Sequence, residues 1–125
     1  MWTGLLIALL AATGLAAIAS TPAQACSCKK MTNAQVMAET PVVFEGRVLR
    51  VRREGARIYA DIETARILKG TLPRIAEVST AASSAACGYD FRPGAQVVVG
   101  ALFEQQQFST NLCIMGPLNQ DRARR

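Results

Sequence analysis

The sequence predicts an all-β protein: a five-stranded, partly open Greek-key barrel of the OB type with one or two short helices, a small β-sandwich being the second choice. Three observations carry this. Apolar and polar residues alternate with period two in several short segments between residues 42 and 103. The first of these segments changes its apolar face partway along, as a strand does when it bends to serve two sheets. Only one helix start is marked in residues 26–125, which come after an apolar leader.

The leader, residues 1–25, carries no charged side chain, and Gly4 to Ala19 form an apolar run too short to span a bilayer comfortably. Thr21-Pro22-Ala23-Gln24-Ala25 ends in the small-x-small pattern of a signal-peptidase site. Residues 1–25 are therefore expected to be a secretory signal peptide cut after Ala25, although no Lys or Arg stands near Met1. The exported domain would occupy residues 26–118, and Asn119 to Arg125 would form a flexible basic tail. Export ends in the periplasm or the medium on this reading, with no membrane span after cleavage. Lipid attachment to Cys26 is the weaker alternative, because Ala23 stands where a large apolar residue is usual.

Within the domain, Thr32-Asn33-Ala34-Gln35 fits a capping box and starts a short helix from Asn33 to Glu39. Thr40-Pro41 stops it, since the residue before proline is pushed out of the helical region. Val42, Phe44, Gly46 and Val48 then share one face, with Glu45 and Arg47 on the other. After the glycine, Leu49 and Val51 take over as the apolar set, which reads as a bulge in a long bent strand. Glu54-Gly55 makes a turn. Arg57 to Leu68 is the second strand, with Ile58, Ala60 and Ile62 inward, and Ile75 to Thr80 is the third. Thr80 to Ala86 is Ala/Ser-rich without a period and reads as a loop. Pro93-Gly94 suits a type II turn leading into a fourth strand, Gln96 to Phe103. Phe108 to Ile114 is expected to be the fifth.

Composition excludes several kinds of chemistry. The chain has no His, so His-dependent triads and His-bearing zinc sites are out. All 14 Lys and Arg and all 9 Asp and Glu lie after Ala25, giving the exported part a net charge of +5. That charge is spread along the chain and reads first as a solvated surface. Arg47, Arg50, Arg52 and Arg53 could line a basic groove for single-stranded nucleic acid, but the six aromatics of the exported part fall mostly on core positions, so no nucleic-acid partner is expected. Asp61 and Glu63 share one strand face, but Arg57 and Arg66 nearby favour ordinary surface pairing. Ser83-Ser84 has no His to activate it. No enzyme and no cofactor are expected.

The cysteines are more informative. All four, Cys26, Cys28, Cys87 and Cys113, lie in the exported part, where an even count in an oxidising compartment reads as two disulfides. Cleavage after Ala25 would make Cys26 the first residue, with a free α-amino group. Half-cystines one residue apart do not easily bond each other, so Cys26 and Cys28 must each reach Cys87 or Cys113. A zinc site made of all four would want pairs spaced two to four apart, and Cys-x-Cys with two scattered singles fits that poorly. Thiol-disulfide exchange lacks the surrounding βαβ pattern of a thioredoxin.

Several segments together resemble one family. They are Cys26-Ser27-Cys28 at the exported terminus, Val43-Phe44-Glu45-Gly46-Arg47-Val48 in the first strand, Leu68-Lys69-Gly70 closing the second, Cys87-Gly88-Tyr89-Asp90-Phe91-Arg92-Pro93-Gly94 before the fourth, and a last Cys113. They are similar to the netrin-like, OB-fold domain of the tissue inhibitors of metalloproteinases, in a short bacterial form. The resemblance implies the disulfides Cys26–Cys87 and Cys28–Cys113. It also implies that the Cys26 α-amine and carbonyl oxygen bind the catalytic zinc of a partner protease, displacing its water, while Ser27 points into the main specificity pocket. The chain departs from the inhibitors in having one disulfide fewer, short strand connections, and Lys29-Lys30-Met31 where they carry a proline-rich stretch. The function expected is that of a secreted inhibitor-like binder of a zinc metalloprotease with no metal of its own. The alternative is a non-inhibitory, disulfide-stapled envelope or extracellular protein-binding module.

Overall fold

Thr32 opens the first helix by reciprocal capping. Its hydroxyl accepts from the Gln35 amide at 3.1 Å, and the Gln35 side chain accepts from the Thr32 amide at 2.9 Å. The helix, α1, spans Asn33–Glu39 and ends at an extended Thr40 before Pro41. In this computed structural model the described residues are Gly14 and residues 26–120. The expected signal peptide therefore lies outside them but for Gly14, as do residues 121–125 of the expected tail.

Five strands come after α1: β1 (Val42–Glu54), β2 (Arg57–Lys69), β3 (Ile75–Ala81), β4 (Gln96–Glu104) and β5 (Gln107–Ser109). They close into a barrel in the order β1-β2-β3-β5-β4, the arrangement expected of an OB-type fold. Closure is completed by a short parallel bridge in which Val78 and Ser79 pair with Phe108 and Ser109. No described helix is long and apolar enough to cross a membrane.

β1 bends, as its pattern predicts. It pairs with β2 from Val43 to Glu54, skipping Leu49, but with β4 only over Val42 to Arg47. The register slips at three places: between Val43 and Phe44, between Glu45 and Gly46, and between Val48 and Arg50. Leu49 has no partner in β2 and is 43% exposed, so it does not join the inward set expected of it. Val51 does, packing half-buried against the core. A Cβ on Gly46 would sit 2.7 Å from the Glu63 carbonyl oxygen and 2.6 Å from Ile62 Cγ2. Glycine is thus what lets the two strands close up at the bend.

Phe44, Ile62, Val78, Val99 and Met115 are fully buried inside the barrel. Val43, on the opposite face of β1, joins a second cluster with Val36 of α1 and Leu118. Before β4, the Ala95 amide donates to the Arg92 carbonyl at 3.1 Å, and Gly94 has φ +85°, which is the type II turn expected of Pro93-Gly94.

Two expectations are corrected. Thr80 and Ala81 finish β3, and Ser84–Ala86 form one turn of 3-10 helix, so the loop is shorter than its composition suggests. The fifth strand stops at Ser109, and the chain then turns into a second helix, α2 (Leu112–Asn119). Asn111 caps it by accepting from the Ile114 amide at 3.1 Å, a start that the nearby Gly116-Pro117 disguises as a break. Leu118 and Met115 bury the face of α2 that packs on β4.

Asn119, expected at the start of a fraying tail, instead fastens α2 to the sheet. Its side chain accepts from the Val98 amide at 2.9 Å and donates to the carbonyls of Val98 and Met115, both at 2.8 Å. Asn119→Ala is expected to cost about 1–3 kcal/mol, because it leaves half-buried backbone groups of β4 without a partner. Urea unfolding of the variant would measure this, and an unchanged midpoint would contradict it.

Candidate functional site

Three separate segments meet at the amino-terminal end of the described domain. The first is Cys26 to Met31, which has no regular structure of its own. The second is the turn ending at Cys87. Ser83 caps this turn by accepting from the Ala85 amide at 3.1 Å, and Cys87 leaves it in a left-handed conformation with φ 63°. Gly88 then passes so close to Ala81 that a Cβ would overlap the Ala81 carbonyl oxygen. The third is the first turn of α2, which carries Cys113. The Leu112 amide donates to the Cys87 carbonyl at 2.7 Å and ties the second segment to the third.

Two disulfides complete the junction: Cys26–Cys87, with Cα atoms 4.9 Å apart, and Cys28–Cys113, with Cα atoms 5.3 Å apart. They are the pairs that the family resemblance implies. Two disulfides fit an oxidising compartment. The sulfurs of the two bonds are also in mutual contact, with Cys26 Sγ 3.8 Å from Cys28 Sγ and 3.9 Å from Cys113 Sγ.

Ser27, between the two half-cystines, is exposed, as are Lys29 and Lys30. Met31 is half-buried and packs against the Val36 cluster, so the segment is held at both ends. One groove beside it, of about 220 Å³, is lined by Met31, Thr40, Leu102 and Cys113. Another, of about 360 Å³, lies past Gly88 and is lined by Val51, Ile58, Tyr89 and Phe91. The Tyr89 ring meets Phe91 edge-on at 4.8 Å. Burial, and then the Asp90 carboxylate, pushes the Tyr89 phenol above its usual range.

The structure gathers Cys26, Ser27, Cys28, Cys87 and Cys113 into one site. Of the other singled-out residues, Ser83 caps the turn that carries Cys87, while the strand carboxylates and arginines lie elsewhere. Asp61 pairs with Arg50 at 2.8 Å and Glu63 with Arg74 at 3.7 Å, whereas Arg66 turns to Glu45 and Arg57 to the Ser79 hydroxyl. The two carboxylates are thus in surface pairs, with partners other than those expected. Arg52 bonds Glu54 and Glu77 and lies 4.5 Å over the Tyr59 ring, while Arg53 donates to the Gly55 carbonyl.

The convergence of all four sulfurs is what spacing did not reveal. Cys87 and Cys113 are separated by β4, β5 and the start of α2, and only barrel closure makes them neighbours. An Asn111 cap, read as such, would have put Cys113 in a helix turn and pointed toward that. No protein-family model matches the chain, and no curated protein matches it significantly.

Proposed function

We propose that this is an exported, inhibitor-like protein without catalysis of its own, which binds the catalytic zinc of a secreted metalloprotease through Cys26. The observation that supports this reading is the fastening of Cys26 and Cys28 to the barrel by two disulfides, with Ser27 exposed between them. A terminus held in this way loses little freedom on binding. Cleavage after Ala25 gives Cys26 a free α-amine, and amines of this class, with reference pKa values of about 7.7–8.0, reach their neutral, zinc-binding form near neutral pH. The amine nitrogen and the Cys26 carbonyl oxygen then close a five-membered ring on the metal, at the position a catalytic zinc keeps open for water. Ser27 enters the adjoining specificity pocket.

Two measurements test this reading. Mass spectrometry of the exported protein's amino-terminal peptide should find an unmodified Cys26 as first residue; a diacylglyceryl adduct or a retained leader removes the free amine and overturns it. A panel of secreted zinc proteases should include members inhibited by the authentic protein at micromolar concentration, and Ser27→Gly should weaken that inhibition while the barrel stays intact. Inhibition of no panel member would favour the stapled, non-inhibitory binding module.

A further inference from the structure

The four sulfurs at the junction form one cluster, two pairs of them bonded and the bonded pairs in contact. Cys26 Sγ lies 3.8 Å from Cys28 Sγ and 3.9 Å from Cys113 Sγ, and Cys113 Sγ lies 4.0 Å from Cys87 Sγ. All four fall within 4.8 Å of one another. In a tetrahedral zinc–thiolate centre, with Zn–S near 2.3 Å, the sulfur–sulfur edge is about 3.8 Å. Three of the six edges therefore already have nearly that length. The two covalently joined pairs would have to part by roughly 1.7 Å each, a distance that side-chain torsions can supply.

We propose that, once both disulfides are reduced, Cys26, Cys28, Cys87 and Cys113 form a zinc site belonging to this chain. Each disulfide takes two electrons and two protons from a dithiol, which leaves as its own disulfide. The four resulting thiols lose four protons as they bind one Zn²⁺ as thiolates. The centre carries a net double negative charge, and cationic Lys29 and Lys30 come directly after Cys28 in the chain. Cys113 stands in the first turn of α2, where the peptide dipoles favour a thiolate. The spacing argument against a four-cysteine site loses its force here, because the barrel supplies the convergence that a local Cys-x-x-Cys loop supplies elsewhere. This site uses the sulfurs of the chain and is independent of the Cys26 amine and of any protease.

The test is a metal titration of the full exported chain, reduced anaerobically with a phosphine, using Zn²⁺ against a chromophoric chelator and Co²⁺ as a spectroscopic probe. Far-ultraviolet circular dichroism monitors the barrel. The expected result is one metal per chain, cobalt bands of a four-thiolate tetrahedral centre, and a native β spectrum. Cys113→Ser should weaken zinc at least as much as loss of an outer-shell partner does elsewhere, roughly 10–100-fold. The oxidised chain should give no thiolate–cobalt bands. Absence of binding by the reduced chain, a cobalt spectrum with fewer than four sulfurs, or four-thiolate binding by a chain without the barrel would each overturn the proposal.

Discussion

Replacing Cys28 and Cys113 together by alanine is expected to lower the stability of the domain by about 3.5 kcal/mol, the loop-closure entropy that this bond removes from an unfolded chain still joined at Cys26–Cys87. The half-cystines are 85 residues apart in sequence, but the path between them through the remaining bond is roughly 30 residues, and that is the loop the second bond closes. In a domain of this size each kcal/mol is worth roughly 4–8 °C in Tm, and the effect should be plain in thermal melts. Removing both cysteines avoids a stray thiol that could attack the remaining Cys26–Cys87 bond. The loss should also loosen Lys29 to Met31, which Cys28 holds against α2. A melting point lowered by only a degree or two would mean that the disulfide does not constrain the unfolded state.

Much of the barrel was legible because its strands obey the simplest rule of a half-buried sheet. Ile58, Ala60 and Ile62 alternate with Tyr59, Asp61 and Glu63, and only one set can face a core. The capping box at Thr32 was equally plain, since both of its hydrogen bonds are local in sequence. Leu49 departs from its expected face because a bulge inserts one residue that belongs to neither face, and the apolar pattern alone does not say which residue is the extra one. Residues 110–119 differ from expectation for another reason. Phe108 to Ile114 looks like a strand until Asn111 is taken as a cap, and Met115 and Leu118 then fall on one helical face. Pro117 hid this, because proline is usually a terminator, yet here it lies within a short helix whose packing against β4 compensates for the missing amide.

The site was legible in a more limited way. The cysteine count and the position of all four residues after the expected leader point to two bridges, but the assignment of partners depends on the family resemblance. The contact between the bridges depends on tertiary closure and left no local signal. Asn119 shows the same limit: a polar residue before a basic run reads as tail, while its three hydrogen bonds to Val98 and Met115 exist only once α2 has docked.

Chelation depends on one atom, the α-amino nitrogen of Cys26, and adding a single alanine before Cys26 isolates it. The extra residue converts a donor amine into an amide, whose nitrogen is a poor metal ligand, and moves the new amine away from the Cys26 carbonyl. The two disulfides and the barrel should be unaffected, because neither uses that nitrogen. Against any metalloprotease that the authentic protein inhibits, the alanine-extended protein is expected to show no inhibition over the same concentration range. Both proteins should show identical circular dichroism and the same disulfide map. Equal inhibition by the extended and authentic forms would contradict chelation through Cys26.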